Sequence, residues 1–353
     1  MQKHLILSLV SSVISLMLLC SCGRQSPDYA TNYMRAVSST CEKQLISIEE
    51  PQLAPYPRQR DLKQQQEELS ISLVDFFSLG DCDLQELIAE RNNALGRVMA
   101  PSKKLIYEHQ FLLRAIRCMS VLKMDSVSNA ALINELGKAI AVKQRNRPVN
   151  FWNATFASPE FTDFFSLANA PQANETSVHV AQEALNSISN FYPSFGREDI
   201  PIDLEPAYQA LQTSNAIGAV LKRLNRFTFI LNTTSAALES RAQNTEPGRS
   251  TTVESKEIAL QLVRIFKSYY IKRIQPEIAQ YNNYANLLFP ALQKFVELPE
   301  LIGTEAFQAY YNQQLNPTAD NTVLAQFREA TLRHSRAWQI VLDECGLQPG
   351  DLL

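Results

Sequence analysis

The pattern of apolar and polar positions predicts helices along most of the chain. Apolar residues recur every three or four positions, and no alternating pattern lasts long enough to predict a sheet. Long helices are predicted over residues 84–99, 103–123, 126–144, 204–242, 251–298 and 318–345. The chain holds only ten glycines, as expected when few tight turns are needed. The predicted fold class is all-α, an irregular multi-helix bundle.

A different composition marks the middle of the chain. Residues 147–205 are rich in Asn, Pro and Phe, and they predict an irregular segment with short helices near residues 159–167 and 176–190. This segment separates two candidate lobes, about residues 22–150 and 200–353. One large domain over residues 22–353 is the alternative.

The chain starts with "MQKHLILSLVSSVISLMLLCSC", which has the features of an export signal. Lys3 gives a positive start, and an apolar stretch of signal-peptide length follows, too short to span a bilayer comfortably. Its end, Leu19-Cys20-Ser21-Cys22, resembles the lipobox of bacterial lipoproteins. Cys22 is then the lipidated residue, because Cys20 would place the large Leu19 directly before the cut. An ordinary cleaved signal and an uncleaved membrane anchor are the alternatives.

Lipidation would determine both the compartment of the protein and its first partner, the lipid bilayer. Residues 1–21 would be removed as a signal peptide, and acyl chains on Cys22 would hold residues 22–353 on the bilayer at about 0.8 kcal/mol per buried CH₂. Gly23 stands where an Asp would retain such a protein at the inner membrane, so the resemblance implies an outer-membrane anchor facing the periplasm. Ser26 is the predicted cap of the first helix, which leaves a short tether and a body close to the membrane.

Four cysteines remain after the leader, and an oxidising compartment favours disulfides. Cys82 and Cys118 lie at equal distances from a turn near Ala100, so an antiparallel helical hairpin would bring them together as a disulfide-stapled unit. Elimination then pairs Cys41 with Cys345, each on an apolar stripe. Two buried free thiols are the alternative to this second bond.

Charge and motifs exclude several classes of function. The net charge of −3 is small, and the basic groups at Lys143–Arg147 and Lys222–Arg226 are too sparse for a nucleic-acid surface. They are interpreted as solvated helix faces. No phosphate loop, nucleophile elbow or metal motif occurs, so no catalytic residue, metal or cofactor is predicted. His334 lies one turn before Trp338 on an apolar face and is predicted to be a hydrogen-bonded core histidine.

The stapled hairpin contains the first candidate site. Consecutive polar residues in "ERNN" fall on a helix that must bury one side, so at least one should point toward the second helix. The candidate polar site consists of Glu90, Arg91, Tyr107, Glu108 and His109. The functional hypothesis is a charged pocket with Glu90 or Glu108 as acid or base. The alternative is a structural network that fixes the packing of the hairpin.

A cluster of aromatic residues gives the second candidate site. Phe151, Trp152 and Phe156 could line an apolar groove for a lipid, glycan or peptide. The alternative is that these side chains fill the core beneath an irregular segment.

Three stretches of sequence resemble a known family. Residues 76–118, "FFSLGDCDLQELIAERNNALGRVMAPSKKLIYEHQFLLRAIRC", are similar to an uncharacterised family of Gram-negative putative lipoproteins, domain of unknown function 3080. "PYPRQRDL" and "AWQIVLDECGLQP" resemble that family too. The chain differs from it slightly, with "ERNNALG" in place of "ERNSSLG". The resemblance implies a lipidated envelope protein and brings no activity, cofactor or catalytic residue.

These observations favour a membrane-anchored periplasmic lipoprotein that serves as a binding or scaffolding module of the cell envelope. Its expected partners are the bilayer, through acylated Cys22, and an envelope protein or lipid ligand; nucleic acid is not expected. The alternative is an enzyme that acts on envelope polymers or lipids by carboxylate acid–base chemistry.

Overall fold

A computed structural model describes residues 28–41, 49–68, 83–127, 129–168, 172–198, 202–244 and 253–347. Within these ranges every regular element is helical and there is no strand, which confirms the all-α class. The first helices are α1 Tyr29–Thr40, α2 Gln59–Leu62, α3 Leu84–Asn92, α4 Ala94–Arg97, α5 Pro101–Leu122, α6 Ala130–Arg145, α7 Arg147–Ala154, α8 Pro159–Phe165 and α9 Glu175–Phe191. The others are α10 Glu205–Ser214, α11 Ala216–Asn244, α12 Val253–Ile265, α13 Gln275–Val296, α14 Glu305–Gln314 and α15 Val323–Glu344.

Side-chain caps and special residues set several helix ends. Asp28 caps α1, its carboxylate accepting from the Thr31 amide at 3.1 Å. The first helix therefore begins at Tyr29, later than the start that a cap at Ser26 would give. At the other end, Gly346 follows the C-cap residue Cys345 with a left-handed φ of 66°, a conformation that commonly ends a helix.

Two of the predicted long helices are interrupted. The prediction for residues 84–99 divides into α3 and α4, because the Asn93 side chain caps α4 by accepting from the Gly96 amide at 2.8 Å. The prediction for residues 251–298 becomes α12, a π-helix over Phe266–Ile274, and α13. Pro276 lies in the first turn of α13, whereas Pro290 lies inside that helix without ending it.

Helices α1, α11 and α15 form the centre of the fold and run in the same direction. Residues early in α11 contact the starts of the other two helices, as the Arg226–Asp28 and Phe227–Phe327 contacts show. At the other end, Arg241 pairs with Glu344 at 2.6 Å. The first and last helices are therefore both packed against α11.

A buried polar network joins these three helices. The Tyr33 hydroxyl accepts from Trp338 Nε1 at 2.6 Å and lies 2.7 Å from His334 Nε2. On the other side of the ring, Nδ1 lies 3.2 Å from Thr234 Oγ1 and 3.1 Å from Ser235 Oγ. Tyr33, Thr234, Ser235 and His334 are fully buried, and Trp338 is 2 % exposed. His334 is thus the hydrogen-bonded core histidine that the sequence predicted.

The hydroxyl groups determine the tautomer of His334. Thr234 and Ser235 each donate their own hydroxyl proton to a carbonyl one turn earlier in α11, at 2.8 and 2.6 Å. Their oxygens can then only accept from the ring, so Nδ1 carries the proton and Nε2 accepts from Tyr33 and Trp338. Burial lowers the pKa of His334 to about 3, and the ring is neutral at physiological pH.

The segment 49–68, here called the strap, is irregular apart from the short helix α2, and it packs against helices that lie far from it in sequence. Asn153 accepts from the Gln64 amide and donates to the Gln64 carbonyl, both at 2.8 Å. Asn146 makes the same pair of bonds with Glu67, at 2.9 and 2.8 Å. Side-chain amides on one helix face therefore replace a neighbouring strand for the backbone of the strap.

The spacing of these asparagines fits the strap. Asn146 and Asn153 lie about 10 Å apart along the chain at the helical rise, and three residues of polyproline II chain span about 9 Å. Lys63, at φ −71° and ψ 127°, has a conformation close to that form. The two asparagines are thus spaced to bind strap residues that lie three positions apart, Gln64 and Glu67.

The apolar core has a main part and a smaller second part. The main part includes α1, α7 to α11 and the helices that follow. The second part lies among α3, α5 and α6, with Leu84, Phe111, Cys118 and Leu136 among its members. The predicted first lobe, about residues 22–150, contains α1, α3 and α5, but α1 packs in the main part of the core, whereas α3 and most of α5 pack in the second part. The division into lobes near residues 150 and 200 stays a prediction.

No disulfide bond joins two of the residues that the structure describes. Cys345 carries a free thiol whose pKa is raised by partial burial and by the charge of Glu344. The predicted Cys41–Cys345 bond is therefore corrected: the first and last helices are joined by the Tyr33–His334–Trp338 network instead. Cys82 lies outside the described residues, so its bond to Cys118 stays a prediction.

Replacing Tyr33 tests how much the network contributes. Tyr33→Phe removes the hydroxyl that accepts from Trp338 and binds His334, and we expect a loss of about 1–3 kcal/mol in the free energy of unfolding. Denaturant titration followed by tryptophan fluorescence measures this loss. Tyr29→Phe, at a more exposed position on the same helix, is the matched control and should change stability by less than about 0.5 kcal/mol. Equal stability of both variants would contradict this role.

Replacing Asn153 tests how the strap is held. Asn153→Ala leaves both backbone groups of Gln64 without their partner, so we expect faster hydrogen exchange at the Gln64 amide and a loss of about 1–3 kcal/mol in stability. Exchange followed by mass spectrometry measures the first effect. Asn190→Ala, on an exposed site of α9, should leave exchange in the strap unchanged. Unaltered protection of Gln64 in Asn153→Ala would refute the assignment.

Candidate functional site

The predicted polar site is only partly assembled. Both oxygens of Glu108 accept from Lys143 Nζ, at 2.8 and 2.7 Å. The Arg91 guanidinium lies 6.0 Å from the centre of the Tyr107 ring, so Arg91 is the residue of the "ERNN" run that points toward the second helix. Glu90 is exposed to solvent on α3 and lies outside this cluster.

His109 also lies outside the cluster. Its Nδ1 accepts from the Gly196 amide at 3.0 Å, and its ring packs against Phe191 with centroids 5.3 Å apart. The sequence had assigned Lys143–Arg147 to a solvated helix face, and this is corrected for its two ends. Lys143 forms a nearly buried ion pair with Glu108, and Arg147 pairs with Glu300. Because the Lys143–Glu108 pair is only slightly exposed on either side chain, Glu108 is committed to Lys143 and is poorly placed to exchange protons with a substrate.

Burial also changes the titration of neighbouring groups. It raises the pKa of Tyr107, and the charge of Glu108 adds to this effect. Burial lowers the pKa of Lys104, although Glu108 opposes the shift. Lys104 borders a polar cleft of about 960 Å³ between the strap and α7. Amide side chains are the most numerous type among the residues that line this cleft, and two of them, Asn150 and Asn153, hold the strap.

The predicted apolar groove is corrected to a core position. Phe151, Trp152 and Phe156 are at most 1 % exposed, so no ligand can reach them. The strap supplies the cover: Trp152 Nε1 donates to the Leu62 carbonyl at 2.6 Å, and Tyr56 stacks at 4.4 Å on another ring of the same aromatic cluster. The chain itself occupies the surface that the sequence offered as a binding groove.

A charged cleft at the start of the strap is the site that the structure adds. Its first cavity, of about 530 Å³, lies between the beginning of the strap and α11. Lys222, Arg223 and Arg226 line it from α11, with Glu50 as the one carboxylate among the lining residues. The sequence interpretation of this basic group as a solvated helix face holds for the exposed Lys222. It is corrected for Arg223 and Arg226, which are partly buried and form ion pairs.

A second cavity, of about 410 Å³, adjoins the first one. The two share Gln172, Arg223 and Tyr281 as lining residues. Asp28 and Glu277 line only the second cavity and give it an acidic character. The two cavities together are called the charged cleft below.

Ion pairs connect the two cavities. Arg223 pairs with Glu277, and its guanidinium lies 4.6 Å from the centre of the Phe227 ring. Arg226 pairs with Glu50 at 2.8 Å and with Asp28 at 3.3 Å. These contacts join α11 to α1, α13 and the strap, so the charged cleft is built from parts of the chain that are far apart in sequence.

One cation of the charged cleft takes part in none of these ion pairs. Lys222 has no carboxylate partner among the described residues. Burial would raise the pKa of Asp28, but hydrogen bonds from Thr31 and the charge of Arg226 outweigh it and lower that pKa. Asp28 therefore stays ionised, and a cation without a fixed partner faces the first cavity.

Two further kinds of feature are absent from the part of the chain that the structure describes. Within the described ranges, no three side chains of the metal-binding types come together. No helix in that part of the chain combines the length and the apolar character needed to cross a bilayer.

Comparison with known proteins identifies a family. Searches against curated proteins and against solved structures give no significant match. The sequence model of a family described as "Protein of unknown function (DUF3080)" matches residues 30–349. The match includes both parts of the core and most of the charged cleft, and it confirms the resemblance seen in the central sequence block. The chain belongs to the DUF3080 family.

Proposed function

We propose that this protein is an outer-membrane lipoprotein that acts as a binding module at the periplasmic face of the bilayer. The Leu19–Cys22 stretch supports the anchor because it has the residue types of a lipobox, with Cys22 as the acylated residue. Gly23 supports the outer membrane, since it replaces the Asp that would retain such a protein at the inner membrane. Neither Cys22 nor Gly23 lies within the described residues.

The position of the charged cleft carries this proposal. Asp28, which lines the second cavity, follows Cys22 by six residues. Six extended residues reach at most about 20 Å. An acylated Cys22 would therefore hold the cleft close to the lipid headgroups, where a ligand of the membrane surface could enter.

The size and charge of the charged cleft support a binding role. Its cavities of about 530 and 410 Å³ fall in the range of small-molecule sites, about 300–1,000 Å³. Lys222 offers a charge that no described carboxylate neutralises. The cleft therefore suits a small polar ligand.

The alternative is an enzyme that acts on envelope polymers or lipids. Acid–base catalysis works best with a group whose pKa lies near the working pH. Glu108 is bound by Lys143 through both oxygens, and hydrogen bonds hold the pKa of Asp28 below its ordinary value. These carboxylates fit ion pairing better than proton transfer, so we favour the binding role.

The anchor is tested by labelling with radioactive palmitate in a Gram-negative host. The wild-type chain should incorporate palmitate, and Cys22→Ala should incorporate none because no thioether can form. Cys20→Ala is the matched control and should be labelled like the wild type. Labelling that is lost in Cys20→Ala and kept in Cys22→Ala would refute the proposed site, and an unlabelled wild type would refute the anchor.

We also propose that Cys82 and Cys118 are linked by a disulfide. Arg114 Nη1 donates to the Asp83 carbonyl at 3.0 Å, which places the start of α3 beside α5 one turn before Cys118. Cys118 is buried in the second core at 2 % exposure, and Cys82 is the residue next to Asp83. This geometry supports a disulfide between the two helices of the hairpin.

Peptide mapping without reduction tests the disulfide. We expect a crosslinked peptide containing Cys82 and Cys118, and a loss of up to about 4 kcal/mol in stability for Cys82→Ser, since the bond closes a long loop. Cys345→Ser, which removes a free thiol, should change stability much less. Alkylation of both Cys82 and Cys118 without prior reduction would rule the bond out.

A further inference from the structure

The charges of the charged cleft are balanced in number and separated in space. Three cations, Lys222, Arg223 and Arg226, line the first cavity beside one carboxylate. The second cavity has two carboxylates and one cation, Arg223, which it shares with the first. Over both cavities three cations face three carboxylates. A simple anion or a simple cation would leave this balance unmatched, whereas a neutral ligand with separated charges would match it.

The first cavity has the features of a site for an anionic group. Lys222 lines this cavity as a solvent-exposed side chain, and none of the described ion pairs includes it. Arg223 Nε is buried without a hydrogen-bond acceptor in that same set. A phosphate oxygen could serve both groups, because phosphates accept several charge-assisted hydrogen bonds from Lys and Arg.

The second cavity has the features of a site for an ammonium group. Asp28 and Glu277 both line it, and Tyr281 and Gln280 add polar atoms to its wall. A primary ammonium has three N–H donors and can bind more than one carboxylate at once. A quaternary ammonium has no N–H donor and could therefore add no hydrogen bond to these carboxylates, which already accept from Thr31, Arg226 and Arg223.

We propose, as an extension of the membrane-surface binding function above, that the charged cleft binds a phosphodiester of ethanolamine. The phosphate lies against Lys222 and Arg223, and the ammonium lies between Asp28 and Glu277. Two sources share this chemistry: the headgroup of phosphatidylethanolamine in the bilayer, and the soluble glycerophosphoethanolamine that remains when its acyl chains are removed.

Titration calorimetry of the lipidated chain in detergent micelles tests the ligand class. Glycerophosphoethanolamine should bind with one site per chain. Glycerophosphocholine, which has the same charges without an N–H donor, and inorganic phosphate should each bind at least about tenfold more weakly. Equal binding of glycerophosphocholine or of phosphate, or tighter binding of diglycine as a probe for peptides, would overturn the proposal.

Two variants test the two ends of the ligand. Lys222→Gln and Asp28→Asn should each weaken the binding of glycerophosphoethanolamine about tenfold, because each removes one charge–charge contact. Asn is as good an N-cap as Asp, so Asp28→Asn keeps the start of α1. The matched controls are Lys294→Gln and Asp320→Asn, exposed sites that line neither cavity, and both should bind like the wild type. Unchanged binding in both cleft variants would overturn the proposal.

Reconstitution in lipid nanodiscs separates the two sources. In phosphatidylcholine nanodiscs, glycerophosphoethanolamine should bind as it does in micelles. If phosphatidylethanolamine nanodiscs abolish that binding, the lipid headgroup already occupies the cleft; if binding persists, the soluble compound is the ligand. Palmitate labelling reports on the anchor separately, so a labelled chain that binds no ethanolamine compound would refute this inference and leave the proposed anchor intact.

Discussion

The hydrogen bonds among Tyr33, His334 and Trp338 are the constraint on which the arrangement of the helices depends. They join the first and last helices within the core, and Thr234 and Ser235 join His334 of the last helix to α11. A buried polar group without partners is costly, so each member fixes the orientation of the next. The three helices can satisfy the network in one relative placement.

The charged cleft follows from that placement. Tyr33 fixes α1 at a point five residues after Asp28 and two after Thr31, and this holds both residues against Arg226. Arg226 also binds Glu50 and so positions the beginning of the strap. The strap then runs over the aromatic cluster and ends on Asn146 and Asn153. The N-terminus, where the anchor is proposed, is thus connected to the rest of the protein by three sets of contacts. These are the Tyr33–His334–Trp338 network, the ion pairs of Arg226, and the asparagines that hold the strap.

Features that depend on neighbours in sequence could be predicted from the chain. Helical periodicity predicted the all-α class and the end of α15 near residue 345. The apolar face around Trp338 predicted a core histidine at His334. Helix α7 was missed because "RPVN" suggests an irregular start, although Pro148 is well suited to the first turn of a helix.

Features that depend on distant pairs could not be predicted in this way. Lys143 binds Glu108 across 35 positions, and Arg226 binds Asp28 across 198. No periodic pattern indicates such partners, so the basic group on α11 suggested a solvated face instead of a cleft. From sequence, the aromatic residues near Trp152 fitted an apolar groove as well as a buried core, because only the fold shows that the strap covers them.

The protonation state of His334 tests the central claim most directly. Nitrogen NMR of the folded protein, labelled at its histidines, reports which ring nitrogen carries the proton at each pH. The account predicts one neutral ring with the proton on Nδ1 that resists protonation until about pH 3. A His334 ring that takes up a second proton near its ordinary pKa of about 6.5, while the protein stays folded, would contradict the buried network.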